Sequence, residues 1–203
     1  MVDLVGLRPP ITASGAVLFV CDMQNDFVHP EGAFAKHGSQ VDRSQALIPV
    51  IGRVLAAARQ ARIPVVFTRV INRPDGVGQS IRSSRTIGAL MEGSWGAEVV
   101  DELKNISTDF VIDKWRYSAF YATALETILR GLDARTVVLT GVSTSGGVDS
   151  TARDAEYRDF NVVVLRDGCT DRPHLHEAAL ERIQLSFGQV MTSDEFVGLI
   201  QHP

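Results

Sequence analysis

The sequence predicts an α/β domain in which a parallel sheet is covered on both faces by helices. Two observations carry this. Strand-length apolar runs such as AVLFVC (16–21) and VVVL (162–165) show no polar alternation, so both faces of those strands are buried. Between such runs lie segments whose apolar residues recur at helical spacing, as Leu47, Val50, Ile51, Val54, Leu55 and Ala58 do within 45–61.

Taken in order, 16–21 is a buried strand and 45–61 an amphipathic helix. Residues 63–68 form a second strand, with Pro64 near its start, where proline is tolerated. Residues 110–112 are a short third strand. Tyr121, Leu125, Ile128 and Leu129 mark a helix over 119–131. Strands at 137–142 and 162–165 flank a helix over 148–159. A helix over 174–187, an edge strand at 189–191 and a terminal helix complete the chain. The long irregular stretch 71–94 reads as a lid or binding loop, since a filler connection of that length is uncommon.

At 203 residues the whole chain, 1–203, reads as a single domain. Acidic residues outnumber basic ones, 24 to 20, and the formal charge is -4. A nucleic-acid or anionic-membrane surface needs a basic field, so neither partner is expected. The first fifteen residues have no basic-then-apolar signal pattern, and the apolar runs are too short to span a bilayer. Cys21 and Cys169 lie in or beside buried strands. They read as free thiols, which suits a reducing cytoplasm.

Ligands of parallel α/β sheets bind beyond the carboxyl ends of the strands. Asp22 stands at the end of the first strand, within CDMQNDF, and Lys114 at the end of the third, within DKWRYSAF. The fourth strand opens into Ser143-Thr144-Ser145-Gly146-Gly147 before a helix, and backbone amides there suit an anion or a developing oxyanion. A strand-end Asp also caps turns, a surface Lys is ordinary, and the loop hydroxyls also cap helix starts. Burial favours the neutral form of Asp22 and Lys114 favours its carboxylate; the balance decides between acid and base. Arg116, with Arg73, Arg82 and Arg85 from the lid segment, are candidate partners for an anionic substrate. Phe27, Trp95, Trp115 and Tyr117 are candidate pocket walls. The five histidines form no HExxH, the pair His174 and His176 sits at a helix start, and no metal site is predicted.

Three motifs, VLFVCDMQNDF (17–27), VIDKWRYSAF (111–120) and LTGVSTSGGVDSTARDA (139–155), resemble the isochorismatase-like (cysteine hydrolase) superfamily in order and spacing. The resemblance implies a three-layer, Rossmann-like α/β/α fold with a six-stranded, mostly parallel sheet. It further implies a homodimer or homotetramer, a small polar substrate, no cofactor, and a cis peptide at Val142–Ser143. It places the family's catalytic Asp on Asp22 and Lys on Lys114. Its nucleophilic Cys stands six residues after the first glycine of this loop, Gly141, where this chain has Gly147. The Asp and His metal pattern of the nicotinamidase branch is absent from TRVINRPDG (68–76).

Without a thiol, the resemblance points first to the isochorismatase branch, which carries glycine there. Its reaction is vinyl-ether hydrolysis with pyruvate release. A protonated Asp22 would deliver the proton, Lys114 would orient the substrate, and Gly147 would leave room and offer its N–H. Phe27, Trp95, Arg116, Tyr117, Ser143 and Thr144 would contact the substrate. Two alternatives stand beside this reading. One is a C–N amidohydrolase whose cysteine has become Gly147, naturally or by engineering; the other is a non-catalytic small-molecule binder.

Overall fold

In the computed structural model, which describes residues 11–80 and 84–201, the chain leaves β1 (Ala16–Cys21) to build one half of a sheet and then returns to build the other. The strands β2 (Val65–Val70), β3 (Phe110–Lys114), β4 (Thr136–Val142), β5 (Asn161–Thr170) and β6 (Gln189–Met191) lie in the order β3-β2-β1-β4-β5-β6. All five pairings are parallel, so the expected mostly parallel sheet is entirely so among the described residues. The order reverses between β1 and β4. A crevice therefore opens beyond their carboxyl ends, where Asp22 and the glycine loop emerge.

The period of two along β1 divides the interior. Ala16, Leu18 and Val20 join α3 (Asp42–Gln60) and α7 (Ser193–Gln201) through Leu47, Ile51, Val54, Phe196 and Ile200. Val17, Phe19 and Cys21 face the other way. They pack with Leu125 and Leu129 of α4 (Leu125–Gly131), Ala152 of α5 (Asp149–Glu156) and Ile183 of α6 (Pro173–Ser186). Each such aliphatic side chain contributes about 1.5–3 kcal/mol by leaving water. Two one-turn helices, α1 (Asn25–Val28) and α2 (Ala33–Lys36), follow β1. Among the described residues no helix is long and apolar enough to cross a membrane.

Several elements differ in extent from the sequence expectation, among them the second strand, the helix after KWRYSAF and the fifth strand. The second strand starts two residues late because Arg62 takes φ 58° and the Ile63 N–H closes back on Ala58 O, a helix-ending turn. The helix expected over 119–131 exists only from Leu125. Thr123 Oγ1 donates to Ala119 O and accepts from Leu125 N, Ser118 Oγ accepts from Phe120 N, and Ala122 has φ 55°. Hydroxyls thus take backbone groups that a helix would use. Finally, β5 runs on to Thr170, with a register shift where Gly141 pairs Cys169.

Gly141 is the tightest point of the sheet. Its φ is 107°, and a Cβ there would be driven into the Cys21 carbonyl. Gly141→Ala should lower unfolding free energy by roughly 3 kcal/mol or more. Gly198→Ala on exposed α7, where a Cβ meets nothing within 4 Å, should raise it by about 0.5–1 kcal/mol. Urea denaturation of the two variants measures both.

Candidate active site

Three adjacent strand ends build the polar centre. Asp22 follows β1 in the left-handed backbone region, φ 54°, which Asp tolerates better than most residues. Thr68 of β2 donates its hydroxyl to Asp22 Oδ1 at 2.6 Å, and Lys114 of β3 donates Nζ to Asp22 Oδ2 at 2.8 Å. The Asp22 and Lys114 side chains are only 5% and 1% exposed. Both carboxylate oxygens therefore accept hydrogen bonds, the pattern of a base-form carboxylate. Lys114 Nζ also donates to the carbonyls of Arg116 (3.2 Å) and Tyr117 (3.1 Å). Its three N–H bonds thus have three acceptors, and the ammonium holds the carboxylate instead of facing outward.

The rest of CDMQNDF is bracing. Gln24 accepts from Val70 N and donates to Val70 O and Ala97 O. Asn25 donates to Trp95 O, and Asp26 accepts from Ala33 N and Leu90 N. These bonds fasten 89–98 against the end of β1. KWRYSAF is clamped similarly: Ser118 donates to Asp154 of α5, and Thr151 Oγ1 accepts from Ala119 N. The clamp fixes the two carbonyls that hold Lys114.

Beyond β4, the Val142–Ser143 peptide is cis. Thr144–Val148 then makes one wide helical turn into α5. This turn presents Gly147 to the carboxylate: an ideal Cβ on Gly147 would lie 2.9 Å from Asp22 Oδ2. Asp22, Lys114 and Gly147 are thus brought together as the motifs imply. The loop hydroxyls, however, neither cap α5 nor face the carboxylate. Thr144, fully buried, pairs with His176 Nδ1 at 2.8 Å, and Ser145 donates both N–H and Oγ to Asp171. Burial lowers the His176 pKa, favouring the neutral ring that can accept at Nδ1.

Other expected contacts are distributed differently. The Arg116 guanidinium turns to the lid segment, donating to Gly78 O, and lies over the Tyr121 ring. Tyr117 contributes its carbonyl, while its exposed ring passes near Gly146. Phe27 stacks on Phe34 at 4.8 Å, and Trp95 meets His29 edge-on. Arg73 pairs with Asp75, and Arg85 lies against Gly76. Arg82 and His202 fall outside the described residues. Trp115 covers Gly78 and walls a cavity of about 220 Å³ beside Lys114, together with Ile71, Arg73, Glu92, Asp113 and Tyr121. Thr68 is the functional neighbour that sequence reasoning missed. Its signal is one hydroxyl in the otherwise apolar run VVFT, opposite Cys21 in register.

Neither cysteine replaces the thiol absent at Gly147. Both are free and buried in the second core. Burial, with the Asp22 charge, pushes the Cys21 thiol up to about 12; burial likewise raises Cys169. A disulfide-exchange reagent at pH 8 should titrate no rapidly reacting thiol in the folded protein and both thiols in denaturant. Lys114→Met should cost about 3–5 kcal/mol by leaving Asp22 buried without its counter-charge, and adding Asp22→Asn should recover much of that, as read by a double-mutant denaturation cycle.

An isochorismatase domain model matches residues 16–195. A ureidoacrylate amidohydrolase, RutB, from Methylorubrum extorquens is 35% identical over 88% of this chain and 79% of its own length. Its counterpart from Acinetobacter baylyi is 29% identical over 98% and 88%. Among solved structures, a cysteine hydrolase from Pseudomonas syringae pv. phaseolicola superposes with a TM-score of 0.86 at 29% identity, covering 96% of both chains. N-carbamoylsarcosine amidase from Thermoplasma acidophilum superposes at 0.75 with 30% identity, covering 88% of this chain and 96% of that one. With its six parallel strands, its Asp22–Lys114 centre and a domain match spanning most of its length, the chain belongs to the isochorismatase family of hydrolases.

Proposed function

We propose that the chain is a C–N hydrolase of small ureido, carbamoyl or amide compounds, with Asp22 as general base. One observation carries this reading: both Asp22 oxygens accept, from Thr68 and from a lysine whose donors are all committed. Both oxygens are presented as acceptors, so the resting carboxyl group is arranged to receive a proton in the first step, whereas delivering one to an alkene carbon requires it to start protonated. The relatives add to it, since they are named for ureidoacrylate and N-carbamoylsarcosine hydrolysis. In this role Lys114 keeps Asp22 charged and oriented. The backbone of Ser143–Gly147 polarises the carbonyl, as N–H groups at the start of a helical turn do. Of the aromatic and cationic residues expected to contact the substrate, Tyr117, whose exposed ring passes near Gly146, is the one placed to border it.

Vinyl-ether hydrolysis is the second reading, favoured by Gly147 because that chemistry needs no nucleophilic side chain. One panel separates the two. The protein is incubated with ureidoacrylate, N-carbamoyl amino acids and small amides while ammonia is followed, and with isochorismate while pyruvate is followed. Ammonia release is expected, and Asp22→Asn should lower kcat/KM by roughly 10²–10⁴-fold. Pyruvate without ammonia would replace the proposal by the second reading.

A further inference from the structure

We infer that His176 is a positioning residue for hydrolysis: its neutral ring, by accepting the Thr144 hydroxyl, holds the glycine turn against Asp22, and activity is lost when that ring gains a proton. This rests on the hydrolytic site proposed above, whichever bond that site breaks. The N–H groups of Gly146 and Val148 both turn back to Ser143 O, at 3.1 and 3.2 Å, so the turn Thr144–Val148 closes on itself. Two side-chain tethers reach it from outside. Ser145 donates its N–H and Oγ to Asp171 at 3.0 and 2.6 Å. Thr144 Oγ1 lies 2.8 Å from Nδ1 of His176, in the first turn of α6. Three residues beyond Thr144, Gly147 faces Asp22 Oδ2.

Burial sets the direction of the Thr144–His176 bond. Thr144 is fully buried, and among the described residues its hydroxyl meets no other acceptor. A buried O–H donates, so Nδ1 accepts and the ring proton sits on Nε2. A second ring proton makes Nδ1 a donor and leaves the Thr144 O–H without an acceptor. The charged groups facing the ring are Glu177 on α6, Asp171 at the β5 exit, Arg166 on β5 and Arg43 on α3. Burial acts on it most strongly and keeps its pKa below the ordinary histidine value; the two arginines add to this and the two carboxylates oppose it. The glycine turn itself carries no charge, and Asp149, which opens α5, is paired with Arg153 and Arg182.

Gly147 meets whatever lies beside Asp22 through its backbone alone, so no rotamer change can correct its aim. Backbone dipoles act on developing charge only when they are already aligned, and a displacement of about 1 Å costs on the order of 100-fold. The tether therefore acts on kcat more than on KM. The sign follows from the protonation states. Above its pKa the ring accepts and the turn is held. As pH falls through that pKa, below the ordinary value of about 6.5, the acceptor disappears and kcat falls with it.

The test compares wild type with His176→Asn, His176→Phe, Thr144→Val and the Phe/Val double variant. Asn keeps an oxygen acceptor near the place of Nδ1 and does not titrate; Phe and Val each remove one side of the bond. On a compound the wild type turns over, His176→Phe and Thr144→Val should each lower kcat roughly 10-fold or more with KM within about threefold, and the double variant should lose no more than either. His176→Asn should keep kcat within about threefold at pH 8 and lose the inflection that wild type shows at the His176 pKa. A second readout needs no substrate. In NMR spectra the Gly146 and Gly147 amide resonances should titrate with the midpoint of the His176 ring in wild type, and that step should vanish in His176→Asn. Full activity in His176→Phe, additive losses in the double variant, an unchanged pH profile in His176→Asn, or glycine amides that ignore the ring's titration would each overturn the role of His176 and leave the hydrolytic reading intact. Absence of turnover on every compound would overturn the hydrolytic reading, and with it the positioning role.

Discussion

The rest of the site depends on one buried ion pair between residues 92 positions apart, Asp22 and Lys114. They do not stand on neighbouring strands: β2 lies between β1 and β3. At about 4.8 Å per strand the span is about 10 Å, which a lysine stem plus a short carboxylate can bridge and two short side chains cannot. Thr68, on the strand between them, is small enough to let the ammonium pass and polar enough to hold the other oxygen. Two charges this deeply buried need every remaining hydrogen-bonding position filled, and here the Arg116 and Tyr117 carbonyls fill them.

That requirement explains why so much of the surrounding sequence is polar yet not chemical. The carbonyls that serve Lys114 sit on a loop, and the loop is held to α5 by Ser118–Asp154 and Ala119–Thr151. The glycine turn is tied on its far side by Thr144–His176 and Ser145–Asp171. Gln24, Asn25 and Asp26 anchor the 89–98 segment. Second contacts of this kind set the precision of a site, because a reacting group displaced by about 1 Å loses much of its advantage.

A glycine at 147 changes what this frame can do. A thiol would offer covalent chemistry; a bare α-carbon facing a carboxylate oxygen leaves proton transfer and aligned dipoles. The two cysteines present contribute to packing, and the low-polarity surroundings that make them good core residues are the same ones that suppress their thiolates.

By itself the sequence determined the sheet, its parallel sense, most helices, and the identity of Asp22, Lys114 and Gly147 as the points where three motifs meet. Those features are local: unbroken apolar runs, helical spacing, and short motifs at strand ends. Tertiary structure alone decided which way each side chain is spent. Thr144 and Ser145 looked available beside Gly147, yet partners from α6 and the β5 exit take their hydroxyls. The helix expected from Ala119 yields to Ser118 and Thr123, whose hydroxyls capture its backbone. Thr68 carries no motif and acquires its role only when β2 is laid between β1 and β3. Hydrophobic period can be read along one strand, but a hydrogen bond needs a donor and an acceptor that only folding brings within 3 Å.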